Sequence, residues 1–466
     1  PDTDPQPPWL QFLNALKSHR RPGRSSLSRL YFLIWYGMGS QQIKVFYSLS
    51  SLARNPISWK PLFLTSKVPS PSLSANFSHL PETSFILSNL EISSSCVMKL
   101  GIQFLLQFLS PPLISITVGN DPRVCDEFYA FAPHLPPATY SENSTSCPVL
   151  ALQVTLFPGQ GLCIGFVTHH AVADASTVVS FMQAWALINK NKPNGTDKIR
   201  DLLTEGNLLQ FYDRKAVTNI NGLDDIYWDV IVDCSCPAEP PSVELPINKL
   251  RTTFVLKKED IQRLKNFVSA KCPNIGHLSS FTIICALVWV CSAKSAAAGG
   301  EDVPDDEPEY FGFVADCRGR LNPPLPANYF GNCVALVMAE LKHGEVKGND
   351  GFVRAAKAIG EAIKENVYSE KGVLYGAEKW PDEYGQLVGK RQYGVAGSPR
   401  FDFYAVDYGW GKPKKFEALF IDGGGSISLC KSRDFEGGLE IGLSKPKVQM
   451  DAFTAVFKEI LESSLP

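Results

Sequence analysis

Residues 161–177, Gly-Leu-Cys-Ile-Gly-Phe-Val-Thr-His-His-Ala-Val-Ala-Asp-Ala-Ser-Thr, change their hydrophobic period in mid-stretch. Leu162 to Val167 is a short apolar run of the kind a buried strand needs. Beyond Asp174 the residues Val178, Val179, Phe181, Met182 and Trp185 return at three- and four-residue spacing, which predicts a helix to about Asn189. Asp174, followed by small residues, is a helix start. The stretch therefore reads strand, turn, helix, with His169 and His170 on the turn. The spacing His170-x-x-x-Asp174 puts an imidazole and a carboxylate on one tight connection. Imidazole titrates near neutral pH, so it can take a proton from a hydroxyl and return it to a leaving group. Two plainer readings stand beside this one. His170 could be a structural residue in a pattern met by chance, or His169, His170 and Asp174 could hold a metal. No Cys/His cluster elsewhere supplies further ligands at a recognisable spacing, so no metal is expected.

At 466 residues the chain is too long for one ordinary core, and two large domains are the natural expectation. The polar stretch 189–225 reads as a crossover, dividing the chain into 1–188, 189–225 and 226–466. A net charge of -2 with scattered Lys and Arg gives no reason to expect nucleic acid. The 12 cysteines form no C-x-x-C pair, and several lie in apolar runs, which reads as a reduced, cytoplasmic protein. The apolar stretch Gly101–Val118 is broken by Pro111-Pro112 and too short for a spanning helix, so no membrane is expected.

Strands are predicted at Ile43–Tyr47, Leu113–Val118, Val149–Phe157, Leu162–Val167, Arg251–Leu256, Tyr310–Ala315, Phe401–Ala405, Ala418–Ile421, Ser426–Cys430 and Leu439–Leu443. Val149–Phe157 and Leu162–Val167, joined by Pro158-Gly-Gln-Gly161, read as a hairpin. Helices are predicted at Glu259–Ser269, Ser280–Ser292, Phe352–Val367 and Met450–Leu461.

Two further motifs stand out. Asp407-Tyr408-Gly409-Trp410-Gly411 reads as a turn in which glycine supplies positive φ and the carboxylate could pair with an arginine. Asp316-Cys317-Arg318-Gly319-Arg320 ends a strand with two guanidinium groups, either of which could pair with Asp174 and hold the turn.

With these residues assembled, the sequence resembles the BAHD-type plant acyl-CoA-dependent acyltransferases. His170–Asp174 matches that family's HxxxD motif, and Asp407–Gly411 matches DFGWG with Tyr408 for Phe. Tyr329-Phe-Gly-Asn-Cys333 matches the YFGNC motif of the clade that acylates anthocyanin and other phenolic glycosides. The resemblance spans residues 112–466; residues 51–111 lack the family's expected helix with its Pro-Leu-Ala-Gly turn. It implies an α/β fold of two similarly sized domains, each a mixed sheet flanked by helices, as in chloramphenicol acetyltransferase, with a channel between them. It implies His170 as general base, Asp174 bonded to Arg318 or Arg320, and Asp407, Gly409, Trp410 and Gly411 as structural, with the Trp410 segment a candidate donor to the reacting carbonyl oxygen. His169 would be a bystander.

The same resemblance implies acyl-CoA as co-substrate and a phenolic or flavonoid glycoside as acceptor, in a monomer with no bound cofactor. Malonyl ranks ahead of hydroxycinnamoyl as donor, although Ala175–Val179 lacks the basic residue malonyl-using relatives often carry there. Lys271, Ser279, Ser280, Arg400 and Asn332 are the substrate-binding candidates; the serine pair is equally an ordinary helix cap. The alternative, from a different class, is a non-catalytic relative that keeps the shell and binds a small phenolic or a protein partner.

Overall fold

The computed structural model describes residues 120–227 and 248–463, with short gaps, and the strands at 42–49 and 102–108. The predicted strand Leu113–Val118 and the segments 1–41 and 50–101 lie outside the described residues.

In chain order the strands are β1 (Gln42–Leu49), β2 (Ile102–Phe108), β3 (Arg123–Val124), the small pair β4 (Thr139–Ser141) and β5 (Ser144–Ser146), β6 (Leu150–Phe157), β7 (Gly161–His169), β8 (Lys249–Leu256), β9 (Pro308–Asp316), β10 (Val334–Lys342), β11 (Arg391–Gly397), β12 (Lys415–Ala418), β13 (Ser426–Lys431) and β14 (Leu439–Pro446). The main helices are α1 (Ala175–Asn191), α2 (Thr196–Glu205), α3 (Lys258–Lys271), α4 (Ser280–Ala296), α5 (Gly351–Ala362) and α6 (Lys447–Ser463). They flank two mixed sheets. The first has the order β12-β1-β7-β6-β2, the second β10-β9-β11-β13-β14-β8-β3. Parallel pairing of β2 with β6, and of β9 and β13 with β11, makes both sheets mixed. The predicted hairpin is β6–β7, in register from Leu150↔Thr168 to Phe157↔Gly161.

Each core follows from the pattern of its helices. On α1 the stripe Val178, Val179, Phe181 and Met182 is buried, and Trp185 packs against the same cluster. Helix α4 has no polar face because it has no wet one: Ile283 to Cys291 are all essentially out of water, with Trp289 among α3, α5, α6 and the second sheet. The residues Ser280–Gly299 are long and apolar enough to cross a membrane by length and composition, and they are spent here as a core helix.

The sheets exchange strands. Late in the chain, β12 joins the first sheet beside β1, with Val45 opposite Ala418. Early in the chain, β3 joins the second sheet beside β8, with Arg123 opposite Arg251. Buried charges cross at the exchange: Arg123 lies 2.5 Å and Arg251 3.3 Å from Glu417. Arg251 also donates to the Ala418 carbonyl at 2.6 Å.

Two strand expectations are corrected. Phe401–Ala405 is not a strand; after Pro399 the chain turns, and Phe403 is used for packing, its ring stacked on Phe416 at 3.7 Å. Ala418–Ile421 is displaced: pairing ends at Ala418, and Leu419–Gly423 is a 3-10 turn. Strands β2, β10 and β11 and helix α2 are not among the predicted elements; in β11, Gly394 and Gly397 dilute the apolar signal.

Candidate active site

Strand β7 delivers the chain to the turn, with His169 its last residue, opposite Gln42 of β1. Asp174 then caps α1. Its backbone is extended (φ -79°, ψ 172°), and its Oδ1 accepts the Thr177 N–H at 2.9 Å. The other oxygen, Oδ2, receives Arg318 Nη2 at 2.8 Å and the Cys333 N–H at 3.1 Å. Both side chains of the ion pair are buried.

Arg318 is the hub behind the turn. Its Nη1 meets Asp316 Oδ1 at 3.0 Å, its Nε donates to the Tyr329 carbonyl at 3.2 Å, and its Nη2 donates to the Gly331 carbonyl at 2.8 Å. Gly331 at φ +144° adopts a backbone that side-chain-bearing residues rarely enter. This conformation lets its carbonyl accept from Thr177 Oγ1 at 2.9 Å while its N–H donates to the same oxygen at 3.2 Å. Arg320 goes elsewhere: it donates to the Asp316 carbonyl at 2.5 Å and lies over the Tyr368 ring at 5.5 Å. Of the two arginines, then, Arg318 holds Asp174. The role of Thr177 has no signal in the sequence beyond its place three residues past a capping Asp.

His170 faces a channel of about 1600 Å³. Burial pushes its pKa below the usual imidazole value, opposed by its own carbonyl, by the Asp174 charge and by the Asn332 side chain. The ring is therefore held neutral near pH 7, the state in which one nitrogen accepts a proton. Asn332 reaches back from beyond Gly331 and donates through Nδ2 to the His170 carbonyl at 2.8 Å.

The channel has chemically distinct walls. Phe401, Phe403, Phe416 and Phe420 supply aromatic surface; His277, Ser279, Ser280 and Tyr368 supply polar groups. Ser279 also caps α4, accepting the Thr282 N–H at 3.2 Å, so the cap and the channel wall are one residue. Arg400 is on the wall, exposed. Lys271 is not: it is exposed and 3.8 Å from Asp350. Asn332 is not on the wall either; it acts behind His170.

Asp407 closes a turn. It accepts N–H groups from Gly409 at 2.9 Å and Gly411 at 3.0 Å and pairs with Lys190 at 2.7 Å. Asn189 donates to the Tyr408 carbonyl at 2.6 Å, and the Tyr408 ring meets Trp185 edge-on at 4.9 Å. The motif clasps the far end of α1. Trp410 stacks on Tyr408 at 5.9 Å and is not on the channel wall, so the expected donor to the reacting oxygen is not found there. Among the described residues no group of three His, Cys, Asp or Glu side chains could hold a metal ion.

Comparison with known proteins gives the same answer from three directions. A family model described as "Transferase family" matches residues 123–460. An anthocyanin 5-O-glucoside malonyltransferase from Salvia splendens is 40% identical, covering 75% of this chain and 73% of its own. Phenolic glucoside malonyltransferase 1 of Nicotiana tabacum is 42% identical, covering 73% and 74%. Among solved structures, vinorine synthase superposes with a TM-score of 0.61 at 17% identity, covering 94% of this chain and 92% of its own, which bears on the fold alone. The family match and the relatives agree: the chain belongs to the Transferase family, the BAHD acyl-CoA-dependent acyltransferases.

Proposed function

We propose that this acyl-CoA-dependent acyltransferase moves an acyl group, malonyl ahead of hydroxycinnamoyl, to a sugar hydroxyl of an anthocyanin or other phenolic glycoside, with His170 as general base. The observation that carries the reading is the half-buried imidazole on the channel wall, braced by the Asp174–Arg318 pair. The preference for malonyl rests on three relatives named as malonyltransferases at 37–42% identity; the malonyltransferases of Arabidopsis thaliana, at 30–34%, stand level with its coumaroyltransferases at 32%.

In this mechanism His170 takes the proton of the acceptor hydroxyl as that oxygen bonds to the thioester carbonyl carbon. The tetrahedral intermediate collapses, the carbon–sulfur bond breaks, and His170 returns the proton to the CoA sulfur. Both oxygens of Asp174 are taken, by the Thr177 N–H, by Arg318 and by the Cys333 N–H; with Arg318 it sets where the ring stands. The aromatic wall suits a flat phenolic acceptor. Arg400, whose guanidinium is exposed on the wall, is the cation we assign to a donor carboxylate. The protein is taken to be a cytoplasmic monomer, to be checked by size exclusion and cell fractionation.

The test is incubation with a flavonoid glucoside and malonyl-CoA or coumaroyl-CoA, following release of free CoA thiol. Turnover faster with malonyl-CoA supports the reading, and turnover faster with coumaroyl-CoA overturns the donor. A folded protein inert across a broad donor panel would point to the non-catalytic binder, which relatives named for transferase activities do not favour.

A further inference from the structure

Two buried polar atoms near the site have no hydrogen-bond partner among the described residues: Nδ1 of His170 and Oδ1 of Asn332. They belong to side chains already joined, since Asn332 Nδ2 donates to the His170 carbonyl at 2.8 Å. A buried polar atom left without a partner is costly, and each of these two side chains carries one. Asn332 itself is fixed by its neighbours: the preceding Gly331 is bonded on both sides by Thr177, and the following Cys333 N–H is held by Asp174.

We propose that Asn332 is a positioning residue that accepts the Nδ1–H of His170 through Oδ1 during turnover. This inference rests on His170 being the base. A proton held on Nδ1 leaves Nε2 with its lone pair toward the substrate hydroxyl. When Nε2 takes that proton the ring becomes an imidazolium, its Nδ1–H a stronger donor, and the amide oxygen a stronger partner for it. An amide does this without adding a second negative charge beside Asp174. The Asn332 side chain already favours the protonated ring, which fits the assignment.

The charged and titratable groups around the turn are few. Asp174 and Arg318 neutralise each other, and Asp316 is bonded to Arg318. Cys317 and Cys333 are buried thiols whose pKa values burial pushes up, Cys317 to about 12, so both stay neutral. A shift in the pH profile on changing Asn332 therefore reports the ring and not a neighbour.

The experiment compares Asn332→Ala and Asn332→Asp in kcat, KM for acyl-CoA and the acid limb of kcat/KM, with His170→Ala as control. In Asn332→Ala kcat should fall by roughly 10- to 100-fold, a fraction of what general-base catalysis is worth, with KM changed less. Its acid limb should move to lower pH. Asn332→Asp keeps the acceptor and adds charge, so its limb should rise by about one unit or more. A limb that stays put in both variants overturns the proposal, because a residue that only braces the loop through the carbonyl of His170 would lower kcat without moving it. Should the variants not fold, the wild-type enzyme with 15N-labelled histidine decides. His170 carrying its proton on Nδ1 at neutral pH is expected, and a proton on Nε2 overturns the proposal. If His170→Ala itself remains active, the general-base reading fails; if it is inert and the limbs do not move, only the role of Asn332 fails.

Discussion

Arg318 Nη2 and Asp174 Oδ2 stand 2.8 Å apart with both side chains out of water, although 144 positions separate them in the chain (318 less 174). The pair joins the end of β9, in the second sheet, to the start of α1, which follows β7 of the first. The same arginine gathers the carbonyls of Tyr329 and Gly331, and the same carboxylate holds the Cys333 N–H. The turn that presents His170 is thus fastened to the other sheet.

Breaking that pair should be expensive. Asp174→Asn keeps a competent helix cap, yet takes away the buried carboxylate and leaves Arg318 only the half-exposed Asp316 as its ionic partner, so a loss of about 3 kcal/mol is expected. Arg318→Lys should fare little better, since a single ammonium cannot reach the carboxylate and the carbonyls together. Urea denaturation measures both, and a loss under 1 kcal/mol for Asp174→Asn would count against the clasp.

His170→Ala should remove turnover by a factor of roughly 100 to 10,000 while changing thermal stability little. The pH profile has a definite sign. Burial lowers the folded pKa of the ring below the ordinary 6.5. The unfolded chain therefore binds a proton that the folded one resists, as pH falls through 6.5. The ring's contribution to stability is complete above that value and erodes below it. Two outcomes are expected: an acid limb of kcat/KM lying below 6.5, and a stability profile on the acid side that is flatter in His170→Ala than in the wild type.

The Asp407 turn should matter for stability and not for chemistry. Asp407→Ala removes the acceptor of two N–H groups that water can reach, an expected loss of about 0.5–1.5 kcal/mol. Gly409 sits at φ +95°, where an added Cβ meets nothing closer than 3.5 Å. Gly409→Ala should therefore cost about 1–3 kcal/mol through the backbone alone. With the folded fraction accounted for, kcat should match the wild type in both, and a selective loss of kcat would place the motif in the reaction.

Gly165 is a close-approach glycine. A Cβ there would lie 1.9 Å from the Phe131 carbonyl oxygen, which is backbone and cannot step aside cheaply. Gly165→Ala should destabilise by about 3 kcal/mol or more, seen as a lowered melting temperature or insoluble expression. A soluble variant melting like the wild type would show that the strand can move.

Periodicity alone located most of the elements, because strand and helix repeats are local properties of a chain. The period change at His169–Asp174, the capping carboxylate and the α1 stripe could all be read from neighbouring residues. So could the Asp407 turn, whose partners Gly409 and Gly411 lie within four positions. Strand β11 and the turn at Phe401 were misread because glycine hides a strand, and buried aromatic packing imitates one. Which arginine met Asp174, that Thr177 and Gly331 bond to each other, and that Asn332 stands behind His170 rather than on the channel wall were settled only by the folded chain. Those contacts join residues more than 140 positions apart. They exist because β12 and β3 cross between the sheets and draw the two halves together, and a hydrogen bond made across that seam leaves no periodic trace in the sequence.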